Sequence, residues 1–246
     1  MDFEAWEKRS FVIPVLDMSP HSAYNILTLL DDLTPIQGEV ICIFNSPDVF
    51  MRLKDHPRID KYCFNKLNAG VSRSWNLGIN LAEGRTVFIL NADLHIKPAA
   101  VTQLEHFLHT LPKAVFVGPQ GTYLDFKNQR IIQYFQKGQF DRPIRTHDVS
   151  GFFFALHRQR YLDHHLCFDV RYSPCFMEEW DMGMQVMRAD LAIYTVPVKD
   201  FEHEWGISSS EEDRPVVYFG RTVYRNAVIA DNRRKFMEKW FNGAAE

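Results

Sequence analysis

Short apolar, β-rich runs alternate along this chain with longer stretches of helical spacing, the pattern of a sheet built from βαβ units. Phe11 to Leu16 (F-V-I-P-V-L) predicts a first strand, followed by Asp17 and by Pro20, which can open a helix running to about Leu33. Glu39 to Phe44 (E-V-I-C-I-F) predicts a second strand ending in Asn45, Ser46, Pro47 and Asp48, with a short helix through Leu53 and a third, shorter strand at Lys61 to Phe64. Val71, Trp75, Ile79 and Ala82 recur at helical spacing before Gly84, so Val71 to Glu83 reads as a helix packed on the sheet. Val87 to Leu90 then has the uniform apolarity of a strand buried on both faces, and it ends abruptly in Asn91, Ala92 and Asp93.

Beyond it, Pro98 starts a helix through about Leu111, and Ala114 to Val117 is another buried strand. Tyr123 to Asp148 has weak periodicity and reads as a strand or two with loops over the ligand-binding side. Val149 to Leu156 (V-S-G-F-F-F-A-L) is β-prone, and His157 to Leu162 follows as a short helix. In M-E-E-W-D-M-G-M-Q-V-M-R-A, Trp180, Met184 and either Met187 or Val186 mark a core-facing helical stripe. Ala192 to Val196 is a final strand, and Pro215 to Phe241 reads as one or two basic, aromatic amphipathic helices.

Composition narrows the function classes. A chain of 246 residues that is 46% hydrophobic and 24% charged can bury a large core, and one α/β domain is favoured. A formal charge of -3 gives no general attraction to nucleic acid, so an anionic ligand must be met locally. Cys42, Cys63, Cys167 and Cys175 are scattered without zinc spacing and read as reduced thiols. With no signal-like start and no apolar run of membrane-spanning length, a cytoplasmic protein is expected.

The candidate chemistry sits where strands end, because in open α/β sheets ligands bind outside the strands' carboxyl ends. Asp93 is placed to hold a hard cation against nucleotide phosphates, although Asn and Asp also favour turns for their own sake. Asn68, Ala69 and Gly70 enter a helix whose N-terminus favours an anion, with Arg73 in its first turn; simple capping explains the same residues. Glu178, Glu179 and Asp181 crowd a helix start, where they complement the helix dipole or, shielded by Trp180, form an acid/base site with a raised pKa. His203 lies just past a strand end, on the edge where Asp93 should be.

Three successive strands ending in Asn or Asp, taken with Ile13-Pro14, Asn45-Ser46, Asn68-x-Gly70, Asn76-x-Gly78, Ala82-x-Gly84 and Asn91-x-Asp93, resemble the nucleotide-sugar-binding half of GT-A glycosyltransferases. The likeness is to inverting family 2 enzymes of the rhamnosyltransferase and galactofuranosyltransferase type. Ser150 to Arg158 resembles the small-Gly strand before the acceptor site, and Glu178-Glu179-x-Asp181 resembles the family's E-D-x-D motif. The resemblance spans roughly Phe11 to Ser210 and implies a GT-A (Rossmann-like) mixed, mostly parallel sheet flanked by helices, with a C-terminal helical extension. It further implies a glycosyltransferase domain over 1–212, with its nucleotide-binding half at about 10–112 and its acceptor half at about 113–212, and residues 213–246 packed on it.

The implied roles follow residue by residue. Glu179 is the catalytic base; Glu178, Trp180 and Asp181 bind the acceptor; Asp93 and His203 hold Mn²⁺ or Mg²⁺. Pro14, Leu16, Asp17, Asn45, Asn68, Gly70, Arg73, Asn76, Asn91 and Ala92 bind the nucleotide-sugar. The partners implied are a nucleoside diphosphate sugar and a glycan or lipid-linked saccharide, with no nucleic acid; a peripheral contact at the inner membrane face and self-association through the C-terminal helices stay open. Three positions depart from the family pattern: Asn45 for Asp, Asn91 for the first acid of D-x-D, and Glu179 for Asp. A nucleotidyltransferase lacks its Gly-rich phosphate loop here, a dehydrogenase lacks its G-x-G-x-x-G, and a silent nucleotide-sugar-binding module is argued against by intact Asp93, Glu179 and His203.

Overall fold

The structure, a computed structural model, describes residues 8–19, 22–203 and 213–242. In chain order, the first half comprises β1 (Arg9–Val15), α1 (Ile26–Leu33), β2 (Glu39–Phe44), α2 (Pro47–Leu53), β3 (Lys61–Phe64), α3 (Val71–Leu81), β4 (Thr86–Leu90), β5 (Leu94–Ile96) and α4 (Pro98–Thr110). It continues through β6 (Ala114–Gly118), β7 (Gly121–Asp125), β8 (Arg130–Phe135), β9 (Ile144–Thr146), β10 (Phe153–His157) and α5 (Arg158–Asp163). The remainder is α6 (Glu178–Arg188), β11 (Ala192–Thr195), β12 (Phe201–His203), β13 (Pro215–Tyr218), β14 (Arg221–Tyr224) and α7 (Arg225–Met237).

Alternation within the strands decides the layers. On β1, Phe11, Ile13 and Val15 face α1 and α4, where they meet Leu29, Leu33, Leu104 and Leu108. Val12 faces the other way, into Trp75 and Ile79 of α3 and the Met182 and Val186 side of α6. A sheet covered on both faces needs strands without polar positions, and β4 is buried at all five of its residues. Close approach of α3 rests on Gly78, where an added Cβ would lie 2.1 Å from Val12 Cγ1.

The eight-stranded sheet has the order β3-β2-β1-β4-β10-β6-β11-β9. Its strands run parallel except β10, which is antiparallel to both β4 and β6, and β9, which is antiparallel to β11. The reversal of β10 has a geometric result: its amino end, preceded by Ser150, Gly151 and Phe152, reaches the edge where β1, β2, β4 and β6 present their carboxyl ends. At that edge β5 and β12 form a small antiparallel ladder with His203 opposite Leu94.

Two expectations need correction. The first helix starts at Ile26, capped by Asn25, whose Oδ1 accepts from Leu27 N at 2.9 Å while Thr28 Oγ1 accepts from Asn25 N at 2.8 Å; Pro20 lies outside the described residues. The stretch from Pro215 is not helical at first. It forms the β13–β14 hairpin, turning at Phe219 and Gly220 with φ of 47° and 73°, the pair of left-handed residues a tight hairpin turn requires. Helix α7 follows and is pinned by Asn232, whose Nδ2 lies 2.6, 2.9 and 3.0 Å from the carbonyl oxygens of Tyr172, Cys175 and Phe176.

Candidate active site

Pairing of β5 with β12 sets His203 beside Asp93, the residue that precedes β5. His203 Nε2 lies 3.4 Å from Asp93 Oδ1, and the two side chains are only 11% and 23% exposed. The imidazole is stacked on Phe152, with ring centroids 4.2 Å apart and planes 12° from parallel, so its orientation is fixed. Its Nε2 is buried and makes no hydrogen bond among the described residues. A buried, unsatisfied nitrogen aimed at a carboxylate fits a divalent cation, which takes nitrogen and oxygen donors together. Among the described residues no cluster of three or more His, Cys, Asp or Glu suited to a metal is present; Asp93 and His203 are the pair of candidate ligands that the described residues bring together here.

Glu179 sits in the first turn of α6 and packs against Gly151. An added Cβ at Gly151 would lie 2.4 Å from Glu179 Oε1 and 2.8 Å from Trp75 Cη2, so the carboxylate fits only because that residue has no side chain. The Gly151 amide, close to the same carboxylate, favours its charged form, but weakly. Burial, followed by the adjacent Glu178 carboxyl, holds Glu179 well above the usual carboxylate range. Burial likewise raises Glu178, whose Oε2 has no hydrogen-bond partner among the described residues. Nearby Asp148 is pushed up to about 6 by burial, despite accepting from Thr122 N and Oγ1 at 2.8 and 2.7 Å. Two carboxyl groups on successive residues in an apolar setting cannot both ionise at low cost, and a raised pKa suits a group that must accept a proton near neutrality.

The two ends of the site are joined through backbone. Gly151 supports Glu179, Phe152 supports His203, and Phe152 O accepts from Asn91 N at 2.8 Å. Adjacent Cα atoms are about 3.8 Å apart, so residues 93, 179 and 203 gather around one short segment. Around it at the sheet edge lie Pro14, Leu16, Asp17 and Ala92. Leu16 is 43% exposed, and Asp17 is exposed, with Oδ1 accepting from Ser19 N at 2.8 Å.

The other candidate residues make hydrogen bonds within the protein. Asn45 uses both ends of its amide: Oδ1 accepts from Asn65 Nδ2 and Ala69 N at 3.1 and 3.2 Å, and Nδ2 donates to Ser74 Oγ at 2.9 Å. Asn76 grips the Phe168 backbone, donating to its carbonyl at 2.7 Å and accepting from its amide at 3.1 Å. The start of α3 is not open to an anion, because Val71 N donates to Pro174 O at 2.8 Å and Gly70 (φ 84°) packs against Pro174. Asn68 donates to Val217 O at 2.8 Å, and Arg73 donates to Tyr218 Oη at 2.6 Å beneath the Phe219 ring, so both hold the β13–β14 hairpin.

Asp181 also has a different place from the one expected. Two residues beyond Glu179, it projects from the far side of α6 and is fully buried. It accepts from Tyr172 Oη at 3.2 Å, Gln185 Nε2 at 2.7 Å, Lys239 Nζ at 2.9 Å and Trp240 Nε1 at 2.7 Å, so it anchors the C-terminal segment. Trp180 packs against Phe126 and Phe236 in the same cluster. Sequence reasoning missed Trp75, Gly151, Gln120 and Tyr134; the S-G pair in V-S-G-F-F-F carried a signal for Gly151, whereas Gln120 and Tyr134 carried none.

The chain belongs to glycosyl transferase family 2, whose profile matches residues 40–164, just over half of the sequence. In fold it is similar to the crystal structure of GalNAc-T7 with UDP, GalNAc and Mn²⁺, with a TM-score of 0.69 at 11% identity. That alignment covers 96% of this chain and 48% of the other, so the chain spans about half the length of that protein. No curated protein matches it. The fold is the GT-A arrangement, a large, mostly parallel sheet flanked by helices.

Proposed function

We propose that this protein transfers a sugar from a nucleoside diphosphate sugar to an acceptor hydroxyl, with inversion at the anomeric carbon. The observation supporting it most is the Gly151-Phe152 pair, which backs a proton-accepting carboxylate with one residue and a cation-binding histidine with the next. In this reading Asp93 and His203 hold Mn²⁺ or Mg²⁺, and the UDP and Mn²⁺ in the similar GalNAc-T7 structure make a uridine donor and manganese the first choices. A bound cation offsets the charge that grows on the departing diphosphate, an effect worth several kcal/mol in such sites.

Glu179 takes the acceptor's proton as its oxygen attacks, from the side of the sugar opposite the diphosphate. One carboxylate working across from the leaving group favours a single displacement, hence inversion. Its raised pKa sets the direction of the pH dependence: the base works only when ionised, so activity grows as pH climbs through the range in which the Glu178–Glu179 pair loses its proton. Glu178, unsatisfied at Oε2, is the group we assign to the acceptor side. Leu16 and Asp17, at the open end of β1, are assigned to the nucleotide.

The transferred unit we assign to a hexosyl or deoxyhexosyl group of the rhamnosyl or galactofuranosyl kind, the acceptor to a glycan or lipid-linked saccharide of polysaccharide biosynthesis. We place the transferase unit in residues 1–212, in the cytoplasm, with 213–246 packed on it through Asp181. Among the described residues no helix is long and apolar enough to cross a membrane. The test is a transfer assay over a panel of donors with Mn²⁺. Glu179→Gln should abolish transfer while leaving donor binding near normal, and Asp93→Ala should weaken metal-dependent donor binding in calorimetry. Retained turnover in the Glu179 variant removes it as the base.

A further inference from the structure

Beside the cation end of the site is a cavity of about 210 Å³ lined by Gln120, Gln136, Lys137, Phe201, Glu202 and His203. Most of its polar walls are spent. Lys137 Nζ donates to Phe201 O at 2.5 Å and to Glu202 Oε1 at 2.8 Å. Gln120 is different. It follows β6 at the carboxyl edge of the sheet, is 8% exposed, and is held at both main chain and side chain. Its carbonyl accepts from Ser150 N at 2.9 Å, and its Oε1 accepts from Tyr134 Oη at 2.6 Å.

That second bond decides what the amide can do. With Oε1 taken by a hydroxyl donor, the opposite end of the amide is the NH₂ group, and no acceptor for it is found among the described residues. Tyr134 Oη is itself 3.0 Å from Ser150 Oγ, and Ser150 precedes the glycine that backs Glu179. The network therefore holds a hydrogen-bond donor in the cavity that His203 also lines, and ties it through Tyr134 to the segment that backs Glu179. Between a base and a departing diphosphate lies the sugar that is transferred.

We propose that Gln120 Nε2 recognises an accepting oxygen on the donor's sugar ring, a hydroxyl or an acyl carbonyl, and that Tyr134 is the positioning residue that keeps the amide in this orientation. The proposal rests on the donor-site reading above and deepens it. A group that can only donate selects sugars with an oxygen at that place and leaves the nucleoside diphosphate untouched. A sugar lacking the oxygen would cover the amide without accepting from it, the situation in which polar sites discriminate most strongly.

Calorimetry in Mn²⁺ with the whole chain tests this without needing the acceptor. The probes are UDP, dTDP and GDP alone, and the same nucleotides carrying glucose, galactose, N-acetylhexosamine or rhamnose. For the nucleotide-sugar the unaltered chain binds best, Gln120→Met should weaken affinity about fivefold to tenfold, the size of one lost neutral hydrogen bond. Affinity for the matching nucleoside diphosphate should stay within twofold. Tyr134→Phe should act in the same direction and less strongly, because it frees the amide to turn without removing it. Equal loss for sugar-bearing and sugar-free nucleotides, the mark of a structural role, would overturn the assignment, and so would no loss for either. If the unaltered chain binds none of the nucleotides, the donor-site reading fails first and this inference with it; if it binds them and the Gln120 variant discriminates as before, only this inference fails.

Discussion

Replacing Gly151 by alanine is the sharpest probe of how Glu179, the proposed base, is held. The added methyl would lie 2.4 Å from Glu179 Oε1, whereas an ordinary carbon–oxygen contact is about 3.3 Å, so the carboxylate must retreat by about 1 Å. Trp75 Cη2 would lie only 2.8 Å from the same methyl, which leaves it little room to shift. A catalytic group misplaced by about 1 Å loses on the order of a hundredfold in rate, equivalent to about 2.7 kcal/mol of barrier. Overpacking of this kind costs about 1–2 kcal/mol of stability, or about 2–8 °C in Tm for a chain of this size. Steady-state kinetics run well below Tm should therefore show kcat down about a hundredfold, with donor KM and Mn²⁺-dependent nucleotide affinity close to those of the unaltered enzyme. A Gly151→Ala enzyme that keeps kcat within threefold refutes the claim that this glycine seats the base.

Two further perturbations address the scaffold. Lys239→Met leaves the fully buried Asp181 without the ammonium 2.7 Å away; Trp240, Tyr172 and Gln185 still donate, so a loss near the low end for a broken buried pair, about 3 kcal/mol, is expected, seen as a fall of about 6–12 °C in thermal unfolding and disproved by a fall under 2 °C. Burial, then Arg160 and His109, depress His157 from 6.5 to about 4, so the unfolded chain binds the extra proton between those values and the stability this neutral imidazole protects is lost as pH falls through that window. The loss amounts to at most about 3 kcal/mol. His157→Asn, which can still cap α5, should flatten the acid side of a urea-derived stability profile, and identical slopes from pH 7 to 4.5 would exclude the effect.

Much of this molecule was legible because burial on both faces demands unbroken apolar runs, and each such run ends where its chemistry begins. Asp93 and His203 were singled out by that logic, and Glu179 by the acidic crowd at the start of α6. The asparagines did not sort themselves, since an amide bracing a loop and an amide binding a nucleotide look alike in sequence. Asn45, Asn68 and Asn76 are braces, a fact that only their partners Ala69, Val217 and Phe168 disclose. The C-terminal hairpin did carry a signal, V-V-Y-F-G-R-T-V-Y, in which two β-rich runs flank Phe-Gly. Its spaced arginines and apolar residues nonetheless fitted a helical period equally well. Gln120 and Tyr134 come together only through the return of β8 beside β7, a pairing with no periodic trace.

The reversed strand β10 gives the enzyme a ruler. One peptide linkage joins Gly151, against which Glu179 packs, to Phe152, on which His203 stacks, so in the proposed reading the base and the metal ligand lean on neighbouring points of a single backbone segment.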